Sequence, residues 1–200
     1  MLRHKTFLSI YIIVTFLLLS FLVLALPAIA DRQRPLSIEL FGVPLKNATR
    51  TQLRQVFRDN GLQPVREDNS YWYDIYNSRK ILEGTSELEV GYVAKTTKFA
   101  VAQYTFPSFM DTHLVEKVIN MVAVKYGRPS SQTGNYNLGS VRAIWKMGQG
   151  MGIEVKRGWP NTTTYLSLID YNAYRQMRAE IDDSRKAEER RKAISQGKAF

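Results

Sequence analysis

The sequence predicts an α+β fold: two helix-plus-antiparallel-sheet units in tandem, with an N-terminal signal helix before them and a C-terminal charged helix after them. Three observations lead there. Two stretches carry apolar residues at helical spacing and stop at a glycine with a proline shortly after, Gly61 with Pro64 and Gly127 with Pro129. Each stop is followed by an aromatic, strand-like run, marked by Trp72 in the first half and Trp145 in the second. The two ends differ from this middle, one apolar and uncharged, the other highly charged.

Phe7 to Leu26 contains no charge and follows Arg3, His4 and Lys5. Pro27 breaks the apolar helix, and Ala28-Ile29-Ala30 supplies small residues where a signal peptidase reads, so residues 1–30 form a signal peptide and Asp31 opens the mature chain. The competing reading is an uncleaved inner-membrane anchor over residues 7–26, because about 20 apolar residues are enough to cross a bilayer. Under both readings residue 31 onward is exported, since Arg3 and Lys5 hold the N-terminus in the cytoplasm. The chain has no cysteine, which excludes disulfides, thiol catalysis and thiolate metal sites. An exported domain without disulfides points to a bacterial periplasm.

Residues 31–171 read as one α+β domain of two similar units, about 46–111 and 112–171. Ser37 to Leu45 is a short apolar entry. Thr49 caps a helix running to about Asn60, with Leu53, Val56 and Phe57 inward. Strands follow at Tyr71–Tyr76, Glu87–Ala94 and Lys98–Thr105. Asp111 or Thr112 caps the second helix, whose inward positions are Val115, Val118, Ile119, Val122 and Tyr126. Val141, Ala143, Trp145 and Met147 then share one strand face, which Met151, Ile153, Val155 and Trp159 continue after the turn at Gly148-Gln149-Gly150. Setting Met147 opposite Met151 puts Trp145 opposite Ile153, Ala143 opposite Val155, and Arg142 opposite Lys156. Thr162–Asp170 is the last strand. In residues 172–200, Tyr174, Met177 and Ile181 form a short docking stripe, after which the charged helix projects.

This layout, over residues 46 to 170, resembles the tandem-repeat periplasmic α+β proteins typified by β-lactamase inhibitor protein and the small outer-membrane assembly lipoproteins. The chain departs from the lipoproteins in lacking a lipid-acceptor cysteine. The resemblance implies a non-enzymatic protein-binding domain.

Lys and Arg number 28 against 18 Asp and Glu, for a net charge of +10. The excess lies in the second half: residues 46–111 hold nine basic and eight acidic side chains, residues 112–171 seven and three. That asymmetry implies an anionic partner or surface. No residue is assigned to catalysis, metal or cofactor. His113 is the only histidine after residue 30, and no nucleophile accompanies it. Glu67 and Asp68 sit among turn residues, leaving Asp74 without a second carboxylate for acid–base work. Gly148, Gly150 and Gly152 join two strands, so no helix N-terminus is offered to phosphate. Ser195 and Lys198 stand in a polar tail with nothing to desolvate the lysine.

Two groups are therefore the binding candidates: a basic face of Arg142, Lys146, Lys156 and Arg157, and the aromatics Tyr104, Phe106, Trp159 and Tyr165. The expected function is an exported periplasmic adaptor that engages an envelope protein without enzymatic activity. The alternative is a binder of an envelope polyanion: lipid head groups, lipopolysaccharide or cell-wall polymer. Export argues against nucleic acid as the ligand.

Overall fold

The computed structural model describes residues 37–109, 111–137, 139–160 and 162–199. The expected signal peptide, residues 1–30, and its alternative as an anchor over residues 7–26 lie outside the described residues. Among those described, no helix is long and apolar enough to cross a membrane.

A hairpin of β1 (Glu39–Leu40) and β2 (Val43–Pro44) precedes the first unit, which is α1 (Arg50–Asp59), β3 (Gln63–Arg66), β4 (Tyr73–Asn77), β5 (Glu87–Tyr92) and β6 (Phe99–Phe106). The second unit repeats the plan: α2 (Leu114–Tyr126), β7 (Ser131–Gly134), β8 (Val141–Lys146), β9 (Met151–Arg157) and β10 (Thr164–Asp170). The C-terminal helix is α3 (Tyr171–Gln196). All eight strands β3 to β10 form one antiparallel sheet in the order β3-β4-β5-β6-β10-β9-β8-β7. Each unit is thus a helix followed by a four-strand meander, and the meanders join edge to edge at their last strands, with Tyr104 on β6 opposite Leu166 on β10.

Local chemistry explains the helices. Thr49 caps α1, its hydroxyl accepting from the Gln52 N–H at 3.3 Å. Both helices end at a glycine in the left-handed region, Gly61 at φ +76° and Gly127 at φ +78°, which a side chain would strain. The inward stripe of α1 is Arg50, Leu53 and Phe57, with Val56 only half-buried. Arg50, not Val56, completes that face, and this changes what the helix can do. At α2 the cap expected at Asp111 or Thr112 falls instead on His113, which makes no side-chain cap bond; the Asp111 carboxylate accepts from the His113 N–H at 2.9 Å.

Both helices bury their apolar stripes on one face of the sheet, where Tyr76, Leu88, Val90, Ala102, Trp145 and Ile153 form the continuous core. Trp145 ties strand to helix stop, its indole N–H donating to the Gly127 carbonyl at 2.8 Å. The β8–β9 register matches the one read from the sequence, including Arg142 opposite Lys156. The edge strands β3 and β7 escaped that reading. They are short and polar, and β7 is exposed throughout, so neither has an apolar alternation to reveal it.

The first turns of α3 dock on the opposite sheet face. Asp170 caps α3 through carboxylate oxygen Oδ1, which accepts from the N–H groups of Asn172 and Ala173, both at 3.1 Å, while its Oδ2 pairs with Lys46 at 2.7 Å. Met177 is fully buried among Val93, Ala100, Val101 and Ile169, with Tyr174 and Ile181 half-buried beside it. From Asp183 to Lys198 every residue is exposed.

Candidate functional site

Among the described residues no further element covers the rest of that second face, and the register orders it. One row runs Gln63, Asn77, Glu87, Thr105, Tyr165, Lys156, Arg142, Thr133 from edge to edge. The next runs Ile75, Glu89, Gln103, Ser167, Glu154, Ile144, Ser131. The face is therefore acidic on β5 and basic on β8 and β9. Glu89 is pushed above the ordinary carboxylate range, first by burial and then by its neighbour Glu87.

At the basic side a cleft of about 620 Å³ opens, lined by Arg142, Lys156, Arg157, Tyr165, Thr133 and Ser140 among others. Four of the eight residues expected at a binding site come together there. Arg142 donates to Glu154 at 2.7 Å, and that hydrogen bond holds its guanidinium strongly protonated. Lys156 is exposed, with its ammonium 5.9 Å from the centre of the Tyr165 ring. Lys156 has no carboxylate partner among the described residues.

Arg157 corrects the expectation. Its strand position faces the helix side of the sheet, where it is 2% exposed. Among the described residues the guanidinium donates to main-chain carbonyls alone: Thr112 at 2.7 Å, Tyr136 at 2.8 Å and Gly139 at 3.0 Å are the short contacts. One buried cation thus clips the loop before α2 to the loop between β7 and β8, and carbonyl dipoles replace a counter-ion. Lys146 lies on the open face opposite Gly152, outside the cleft lining.

The aromatics divide in the same way. Tyr104 and Phe106, expected on a partner-facing surface, point to the core side and are 6% and 2% exposed, because their strand parity matches that of Ala102. Tyr165 has the opposite parity and lines the cleft. Trp159 is 70% exposed in the turn after β9, next to Gly158 of the cleft wall. A second exposed ring, Phe109, lies in the loop after β6. That loop is tied to the start of β10 by the Ser108–Thr164 hydroxyl contact at 3.3 Å, so both rings stand at the same end of the sheet.

Sequence reasoning missed a second cluster, on the helix side. Asp74 is fully buried and accepts from two arginines one helical turn apart on α1: Arg50 at 2.6 and 3.1 Å, and Arg54 at 2.7 and 2.8 Å. Burial raises the Asp74 carboxyl, but the hydrogen bonds from Arg54 and Arg50 outweigh it and hold the group below its ordinary value. The available signal was the stripe 50, 53, 54, 57, an apolar helix face with two arginines in it. His113, by contrast, is exposed beside Glu116 in the first turn of α2.

No family model matches the chain, and no curated protein matches it either. Among solved structures, the crystal structure of a DUF4309 family protein, YjgB from Bacillus subtilis, is similar over 66% of this chain and 86% of that one, with 14% sequence identity and a TM-score of 0.41. A likeness of that degree carries no argument here.

Proposed function

We propose that the domain is a non-enzymatic binding module of the bacterial envelope that takes an anionic envelope polymer or head group in the cleft between β7 and β10. The observation that carries this reading is the meeting of Lys156, which has no carboxylate partner among the described residues, with the exposed guanidinium of Arg142 directly across the strands on one cleft. Thr133 and Ser140 add hydroxyl donors, and Tyr165 adds a ring face. Such a surface favours phosphate or carboxylate groups presented in series. Export, from residues 1–30, supplies the compartment where these polymers occur.

Titration of the purified protein with lipopolysaccharide at low and high salt tests this. Affinity is expected to fall at least about tenfold between roughly 50 and 300 mM salt, and to fall further in Lys156→Gln. Salt-independent binding, or none, overturns the proposal.

The adaptor reading has its own support in two exposed rings at one end of the sheet, Trp159 and Phe109, the latter on a loop that Arg157 and Ser108 hold in place. Rigid exposed aromatics are the usual anchors of protein contacts. Capture of an envelope protein that survives high salt but is lost in Trp159→Ala would favour it over the polyanion.

A further inference from the structure

Beyond the basic cleft, we propose a second and separate ligand site: a pocket for a small carboxylate, formed by Arg50, Arg54, Asn69 and Tyr92. A cleft of about 190 Å³ lies over these residues, with Thr51 on its wall. Its lining is a set of donors. Arg50 spends Nε and Nη2 on Asp74 and on the Asp68 carbonyl, leaving Nη1 without a hydrogen bond among the described residues. Arg54 donates Nη1 to Asn69 Oδ1, which leaves the Asn69 amide N–H₂ unused. Tyr92 is 1% exposed, and its hydroxyl is buried with no partner among the described residues. The Arg50 guanidinium lies over the Tyr92 ring, 5.0 Å from its centre.

Charge decides the kind of ligand. Two guanidiniums face one carboxylate, so the cluster keeps an excess of one positive charge while it is largely buried. Of the other nearby acids, Glu67 is paired with Arg58 and also accepts from Tyr76, while the Asp68 carboxylate, which accepts from the Ser70 N–H, is exposed where water screens its charge. A buried cation is stable only with an anion or its equivalent. A monoanion balances the excess, and a planar carboxylate matches the remaining guanidinium, amide and phenol donors. Burial pushes the Tyr92 phenol above its ordinary value, so it keeps the proton it donates.

The test is a titration of the purified protein with sodium acetate, followed by the ¹⁵N–¹H signals of the Arg50 and Arg54 side chains, with inorganic phosphate as the comparison anion. Saturable shifts confined to this cluster are expected with acetate, and weaker ones with phosphate. Tyr92→Phe keeps the ring and its packing, and it should weaken acetate by about tenfold, the worth of one hydrogen bond to a charged group. Asn69→Ala should also weaken it, while thermal unfolding of both variants stays near that of the parent. Absence of saturation, or equal acetate affinity in the parent and Tyr92→Phe, would show that the cluster only pins α1 to the sheet, and would overturn the proposal.

Discussion

Met177 on α3 packs directly over Gly91 of β5, where a β-carbon would lie 2.9 Å from its sulfur and equally close to atoms of Tyr73 and Val101. Gly152 makes the matching notch under Tyr171, whose hydroxyl would sit 2.5 Å from an added β-carbon. These two strand glycines are the seats of the C-terminal helix. Gly91→Ala should destabilise by about 1–3 kcal/mol, the usual cost of overpacking, because three side chains surround the site. Gly152→Ala should cost less, since Tyr171 is the far end of a swinging side chain. Urea unfolding of the two variants, side by side, checks the order.

Truncation separates the docked part of α3 from the rest. Removing Ser184 to Phe200 takes away side chains that are exposed from Ser184 to Lys198 and should change the melting temperature little. Cutting back to Asn172 also removes Met177, the Tyr174 and Ile181 flanks, and Glu180, whose carboxylate accepts from the Ala94 N–H at 2.7 Å. That deletion should lower the melting temperature by many degrees, because it strips the cover from Val101 and Ile169.

Arg157→Met should destabilise by about 2–4 kcal/mol, although the methionine fills much of the same volume. The change leaves the carbonyls of Thr112, Tyr136 and Gly139 without their donor. Hydrogen exchange should rise in residues 135–140 and around Thr112 before it rises in the sheet.

Acid should find the Asp74 cluster. A carboxylate whose folded value is depressed contributes stability above its ordinary value of 3.8, and that stability disappears as pH falls through the lower folded value. The parent should therefore lose urea resistance as the pH falls below about 4. Asp74→Asn should be about 3–5 kcal/mol less stable at neutral pH, with two guanidiniums left uncompensated, and should lack this part of the acid slope. Glu89 has the opposite sign. Its raised value means stability is full below the ordinary carboxylate range and falls as pH rises through the folded value, so Glu89→Gln should raise stability at neutral pH and lose that advantage in acid.

Trp159→Ala should leave stability within about 0.5 kcal/mol of the parent, because the ring is 70% exposed. A comparable change at Tyr104 or Phe106 should unfold part of the core, at about 3–5 kcal/mol. Thermal denaturation of the three alanine variants distinguishes surface aromatics from core ones.

Periodicity alone determined the α+β class, both helices with their glycine stops, and the register that sets Arg142 opposite Lys156, since these depend on residues close in the chain. It also separated the docking stripe of Tyr174, Met177 and Ile181 from the exposed arm. Tertiary structure decided which face each strand residue joins. Arg157 shares the parity of Val155, and Tyr104 and Phe106 that of Ala102, so all three turn to the helix side. Only the joining of β6 to β10 makes one eight-stranded sheet of two meanders. The Arg50–Asp74–Arg54 cluster likewise depends on how α1 packs on β4, which places a helix turn against a carboxylate 24 residues further along the chain. Side-chain alternation is a local property of the backbone, whereas the pairing of charges across elements exists only once the core has brought them together.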